Sequence, residues 1–233
     1  MKLKQLIEKI DKKVISDSSE VFDKSEYHAA DEAIEAIIHL FPKNNTLEKV
    51  KVKVKIINTF YKTNVLAVDK LAEHITSIKG IDERIQKGDM SVVDAIRTGH
   101  GIGNSNSNDR NFYSFATKYC SFHNKEEYPI YDNLVKRLLY DINKKHKWFE
   151  NEKNKNLTHD KLKEYENYKL LIDKLMKHYG ITTTYKEVDK GLWIIAKYYT
   201  NKKKGQKQNN TKFDNWIADE VEKIIKNVFG KSN

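Results

Sequence analysis

The sequence is short of everything that staples or sharply turns a chain. Its single cysteine, Cys120, excludes an internal disulfide and suggests a reducing compartment. It also excludes a four-cysteine iron–sulfur cluster. Cys120 and His123 are spaced like metal ligands, but no second pair completes a site, so neither metal nor cofactor is expected. Two prolines and nine glycines among 233 residues argue against a turn-rich sheet protein and for helices. No apolar run approaches membrane-spanning length. The opening MKLKQLIEKIDKK is charged throughout, unlike a signal peptide. These absences lead to the expectation of a cytoplasmic protein with no membrane partner; a monomer is expected as well.

What is abundant is charge. Charged residues make up 33% of the chain, and 43 Lys and Arg against 33 Asp and Glu leave +10 at a pI near 9.3. That balance favours a polyanionic partner and a nucleoid-associated location. Genomic base bias towards Lys and Asn is the alternative source of the same composition.

Apolar residues recur at helical spacing along the chain, which predicts about ten helices and an all-α fold. Leu3, Leu6, Ile7, Ile10 and Val14 form the first run, interrupted by the SDSS segment at 16–19. Ser25 caps a second helix that Pro42 stops. Val50, Val52 and Val54 alternate with lysines as in a strand, but Val50, Val54, Ile57 and Phe60 line one helical face, and the helix is favoured. Ser91 and Asp94 frame a short helix. Thr158 is expected to cap a long helix closed by Gly180, and Thr184 with Glu187 to open another. Residues 201–212 read as a flexible basic linker, and 213–233 as a C-terminal amphipathic helix.

The stretch from Ser114 to Leu139, SFATKYCSFHNKEEYPIYDNLVKRLL, holds a small-residue helix, a turn and the start of a second helix at Asp132. An Asp there serves as an N-cap, and the positive end of the helix dipole favours its ionised form. With Pro129-Ile130-Tyr131-Asp132 followed by Val135-Lys136-Arg137, the stretch resembles the core of the helix-hairpin-helix DNA glycosylases, the superfamily of endonuclease III and the adenine glycosylases. The match covers about a tenth of the chain. The resemblance implies a two-lobed helical fold with a diverged hairpin, residues 1–200 forming one glycosylase-like unit. Its central lobe would run over about 55–145, and its second lobe over 1–54 plus 146–200.

The same resemblance implies double-stranded DNA as partner and Asp132 as the catalytic carboxylate, stabilising an oxocarbenium-like sugar as a flipped base departs. Eighteen residues before Asp132, where strand-cutting members carry a lysine, stands Ser114, which implies a monofunctional enzyme. Lys118, one helical turn on, is either a phosphate contact or a displaced nucleophile. The general-acid glutamate of adenine glycosylases falls at Ile57, so adenine excision does not carry over. An enlarged base of phage DNA, excised in defence, is the narrower expectation. Tyr61, Lys62 and Asn64 are candidates for the wedge that fills the gap left by the base, with ordinary helix-end chemistry as the alternative.

Arg110, Asn111, Lys136 and Arg137 are candidate phosphate contacts, though a helix face bathed in solvent explains the last two equally. Trp148 and Trp193 would either close a base pocket or serve as core. The family hairpin falls at Asp109 to Tyr113 in the gapless register, or at Gly101 to Gly103 if the register shifts. The competing classes are a helical DNA-binding protein without catalysis and an interaction protein that uses its last helix.

Overall fold

The computed structural model describes residues 3–98, 112–204 and 211–229. In chain order the helices are α1 (Leu3–Glu8), α2 (Lys12–Asp23), α3 (Glu26–Leu40), α4 (Leu47–Tyr61), α5 (Val68–Ser77), α6 (Ile81–Gln86) and α7 (Ser91–Arg97). After these come α8 (Tyr113–His123), α9 (Asn133–His146), α10 (Trp148–Lys153), α11 (Tyr165–Tyr179), α12 (Tyr185–Lys204) and α13 (Lys212–Phe229). A 3-10 turn, Lys161–Lys163, precedes α11. Among the described residues there is no strand, and no helix is long and apolar enough to cross a membrane. Arg110, Asn111 and the Gly101 to Gly103 segment lie outside the described residues.

The chain forms two units, Met1–Ser25 with Asp132–Asn233, and Glu26–Tyr131. Residues 26–54 therefore belong with the central unit and 132–145 with the terminal one. The reason is local: α3 and α4 pack on α8, whereas α9 packs on α11 and α12.

In the central unit, Val50, Val54 and Ile57 of α4 are buried against α3, α5 and α8, so the valine run is helical. Two left-handed residues, Lys62 and Asn64, then reverse the chain. The α7 helix packs on α8, and the Phe112 N–H bonds the Arg97 carbonyl at 2.9 Å. The Ser91 N–H donates to Asp89 at 2.9 Å, so Asp89 does the capping expected of Ser91.

In the terminal unit, α12 is the central element, packing on α1, α2, α9 and α13. A Cβ at Gly191 would lie 2.2 Å from the Ile15 carbonyl oxygen, so glycine lets the α2 and α12 backbones touch. The SDSS segment does not break a helix. The break falls earlier, where Asp11 accepts the Val14 N–H at 2.8 Å and starts α2. Ser18 and Ser19 are then buried inside α2, and Ser19 donates to Glu187 at 2.8 Å. Thr158 caps only the 3-10 turn, accepting from Lys161 N–H at 3.2 Å, and the long helix starts after Glu164. Residues 201–204 are the last turn of α12 rather than linker, held where Asn201 donates to Asp214 at 3.0 Å and Lys202 pairs with Glu222 at 2.9 Å.

Candidate functional site

Asp132 sits in extended backbone at the N-cap of α9. Its Oδ1 accepts the N–H groups of Leu134 at 2.7 Å and Val135 at 3.3 Å. Both bonds fall on Oδ1, so Oδ2 stays outside the cap. The half-buried side chain is thus fixed in direction through one oxygen.

The segment that leads to Asp132 is buried from Tyr128 to Tyr131. Tyr131 is tied to α8 by both of its peptide groups. Its N–H donates to Thr117 Oγ1 at 3.1 Å, and its carbonyl accepts from Lys118 Nζ at 3.4 Å. The Tyr131 ring lies 4.3 Å from that of Tyr113. Lys118 is only 4% exposed, and its amine also donates to Ser114 Oγ at 2.8 Å. The structure thus brings Ser114 and Lys118 together.

Tyr61 serves this amine. Its hydroxyl donates to Asp31, its ring meets Phe122 edge-on, and Lys118 Nζ stands 5.1 Å from the ring centroid. A side chain so engaged is poorly suited to be a wedge. The turn beyond it is different. Lys62 and Asn64 lie on its surface side, and Asn58 braces the backbone: it accepts from Thr63 Oγ1 and Val65 N–H, and donates to the Val65 carbonyl, each at 2.9 Å. Val65 turns inward, while Leu66 is left 75% exposed. Leu66 is not among the residues that the sequence singles out. Its only signal there is an apolar side chain in a turn between two helices.

A second polar group lies inside the central unit. Lys53 is fully buried, and its three ammonium hydrogens are shared among the carbonyls of Phe41 and Lys43 at 3.1 Å each, Asn44 Oδ1 and His123 Nε2 at 3.1 Å. His123 Nδ1–H donates to the Tyr119 carbonyl at 2.8 Å, which leaves the Nε2 lone pair for Lys53. Tyr119 and Asp82 complete the group through Asn44. Burial pushes Lys53 down to about 8, and burial with the Lys53 charge pushes His123 down to about 3. With both nitrogens engaged, His123 is not a metal ligand beside Cys120. The Cys120 thiol is itself buried, and burial pushes its pKa up. Among the described residues no three His, Cys, Asp or Glu side chains gather.

The remaining candidates lie in the terminal unit. Lys136 is one turn beyond Asp132 on α9 and nearly buried. Trp148 follows the other end of that 14-residue helix, about 20 Å along its axis, too far from Asp132 to close a pocket around it. It stacks on His146 at 4.5 Å and tilts against His178. Trp193 meets Phe22 edge-on at 5.8 Å and lies 6.4 Å from Phe213, an aromatic contact joining α2, α12 and α13.

A family model, HI_0787_N, described as an N-terminal domain, matches residues 2–127. A protein of Haemophilus influenzae, described only as "Uncharacterized protein", is 37% identical over 152 residues, spanning 65% of this chain and 68% of its own. No solved structure matches the chain.

Proposed function

We propose that this chain, which belongs to the HI_0787_N family, is a monofunctional DNA glycosylase with the two-lobed helical fold of the helix-hairpin-helix enzymes. The observation that carries the reading is the division of labour in Asp132: Oδ1 takes the cap bonds and Oδ2 stays clear of them. A carboxylate held this way stabilises positive charge on a deoxyribose as the base leaves. The N-glycosidic bond breaks with its electron pair leaving on the base, water bonds to the C1′ so exposed, and the proton that water loses neutralises the departed base, which leaves an abasic site. Leu66, with Lys62 and Asn64 beside it, would fill the space vacated by the flipped base, because an apolar side chain on a braced turn replaces a stacking partner. Ile57, fully buried, offers no general acid where adenine glycosylases have one. The base is therefore one that leaves readily or is recognised by size, as a hypermodified base of phage DNA would be.

The test is incubation with duplexes carrying different damaged or modified bases, with and without alkali. Strand breaks only after alkali are expected, and their absence on every substrate would leave a DNA-binding protein without catalysis. Activity on ordinary damaged duplexes with none on modified phage DNA would remove the defence role.

One observation favours a second reading. Lys118 is an amine held inside the protein against Ser114 and Tyr131, as a nucleophile would be. In that case the neutral amine bonds to C1′ as the base departs with the bonding pair, the C1′–O4′ bond opens to give a Schiff base, and loss of a C2′ proton expels the 3′ phosphate. Borohydride would trap a protein–DNA adduct, and Lys118→Gln would abolish it.

A further inference from the structure

Lys136, Tyr140 and Lys144 follow one another four residues apart and so line one stripe of α9. The His159 ring lies against the middle of this stripe, 4.0 Å from that of Tyr140. Lys144 Nζ is 4.5 Å from the Tyr140 ring centroid. Arg137 adjoins Lys136, and the 3-10 turn adds Lys163. Two carboxylates belong to the same neighbourhood, and each is engaged locally. Asp160 pairs with Lys163 at 2.7 Å; Asp141 pairs with Lys144 at 3.1 Å and accepts from the Tyr199 hydroxyl at 2.7 Å.

Four basic side chains and an imidazole thus share a neighbourhood with two carboxylates. The strain of this assembly shows in its centre. Lys136, at 9% exposure, is pushed below the usual lysine range by burial and then by the charges of Lys163 and Arg137, with Asp160 opposing. His159 is pushed down by burial and then by Lys136, with Lys144 and Arg137 adding and Asp141 opposing. Gathering like charges this closely works against folding, and an anion laid across them reverses the sign. From Lys136 to Lys144 the stripe is about 12 Å long, or three to four nucleotide steps of a duplex at about 3.4 Å each. That length exceeds a single phosphate and suits a polymer.

We propose that Lys136, Arg137, Tyr140, Lys144, His159 and Lys163 form a track that binds the phosphate backbone of DNA, the choice of DNA resting on the glycosylase reading. Tyr140 and His159 give the track an aromatic floor, and the cations supply the phosphate contacts. Of the six, only Lys136 and Arg137 were visible in the sequence as candidates.

The experiment measures affinity for a fluorescent duplex across a salt series, using the full chain and the variants Lys136→Gln, Arg137→Gln, Lys163→Gln and, as an outside control, Lys87→Gln. Each track variant is expected to reduce the salt slope by about 0.9, the value for one lost phosphate contact, and the control to leave it unchanged. His159, followed by NMR, should titrate at higher pH once duplex is added. Arg137 and Lys163 are exposed, so their variants remain informative even if Lys136→Gln fails to fold. Unchanged slopes and an unmoved His159 overturn the track. So does competition by millimolar inorganic phosphate beyond that of chloride at equal ionic strength, which would mark a free-anion site. Reduced slopes without base release on any substrate would instead overturn the glycosylase reading and leave the track standing.

Discussion

Asn58 and Val65 exchange two hydrogen bonds of 2.9 Å, the side-chain amide of one pairing with both backbone groups of the other. A side chain here acts as a strand would, and it fixes a turn that bears an exposed leucine. Asn58→Ala should cost about 1–3 kcal/mol in urea unfolding, because the Val65 groups lose their partner. Leu66→Ala should leave stability within about 0.5 kcal/mol, as an exposed position allows. On the proposed function, both variants should slow base release while unflipped duplex still binds. Unimpaired release by Leu66→Ala would remove the wedge.

Asp132 permits a clean separation of cap from chemistry. Asn caps a helix as well as Asp, so Asp132→Asn should keep stability within about 0.5 kcal/mol, while Asp132→Ala loses about 1 kcal/mol. On the proposed function, base release should vanish in both. Release by Asp132→Asn at the wild-type rate would reduce Asp132 to a cap.

His123 gives the central unit an acid sensitivity with a defined sign. Its folded-state pKa of about 3 lies below the ordinary value of 6.5. Between those values the unfolded chain binds a proton that the folded chain refuses, so stability falls as pH drops from 6.5 towards 3. The slope from this residue is at most about 1.4 kcal/mol per pH unit. Replacing His123 by Gln should flatten the acid limb of a urea-midpoint titration by up to that amount. An NMR titration showing the ring protonated at about pH 5.5, within a unit of the unperturbed value, would contradict the assignment.

Gly191→Ala tests the contact of α2 with α12. The added methyl group would meet a backbone oxygen that no rotamer change can move. A loss of about 3 kcal/mol or more is expected, at the upper end for overpacking. Gly180→Ala is a useful contrast. Nothing lies within 4 Å of a Cβ there, and only its left-handed backbone resists, at about 1–2 kcal/mol.

The parts of the fold that were legible are those governed by near neighbours. Helix α4 was readable through its strand-like valines because Val50, Val54 and Ile57 share a face. Asp132 was readable as a cap because a periodic helix begins immediately after it. The illegible parts depend on distant partners. SDSS looks like a break until Glu187, 168 residues away, receives Ser19. Lys53 looks like one more surface lysine, yet it meets His123 across 70 residues. Val65 and Leu66 are chemically alike, and the turn rather than the residue type decides which is buried. At the track, His159 became visible only when the segment after α10 laid it on Tyr140.

The burial of Cys120 also determines what chemistry the molecule survives and what can be attached to it. A thiol enclosed in α8, and disfavoured as a thiolate, is shielded from peroxide and alkylating reagents. Oxidants should therefore spare this thiol where an exposed cysteine would be modified. A second thiol introduced at Leu66 or Lys163 would be the one that reacts, so the native cysteine can stay in place while a disulfide tether to a thiol-bearing duplex tests the contacts proposed for those positions.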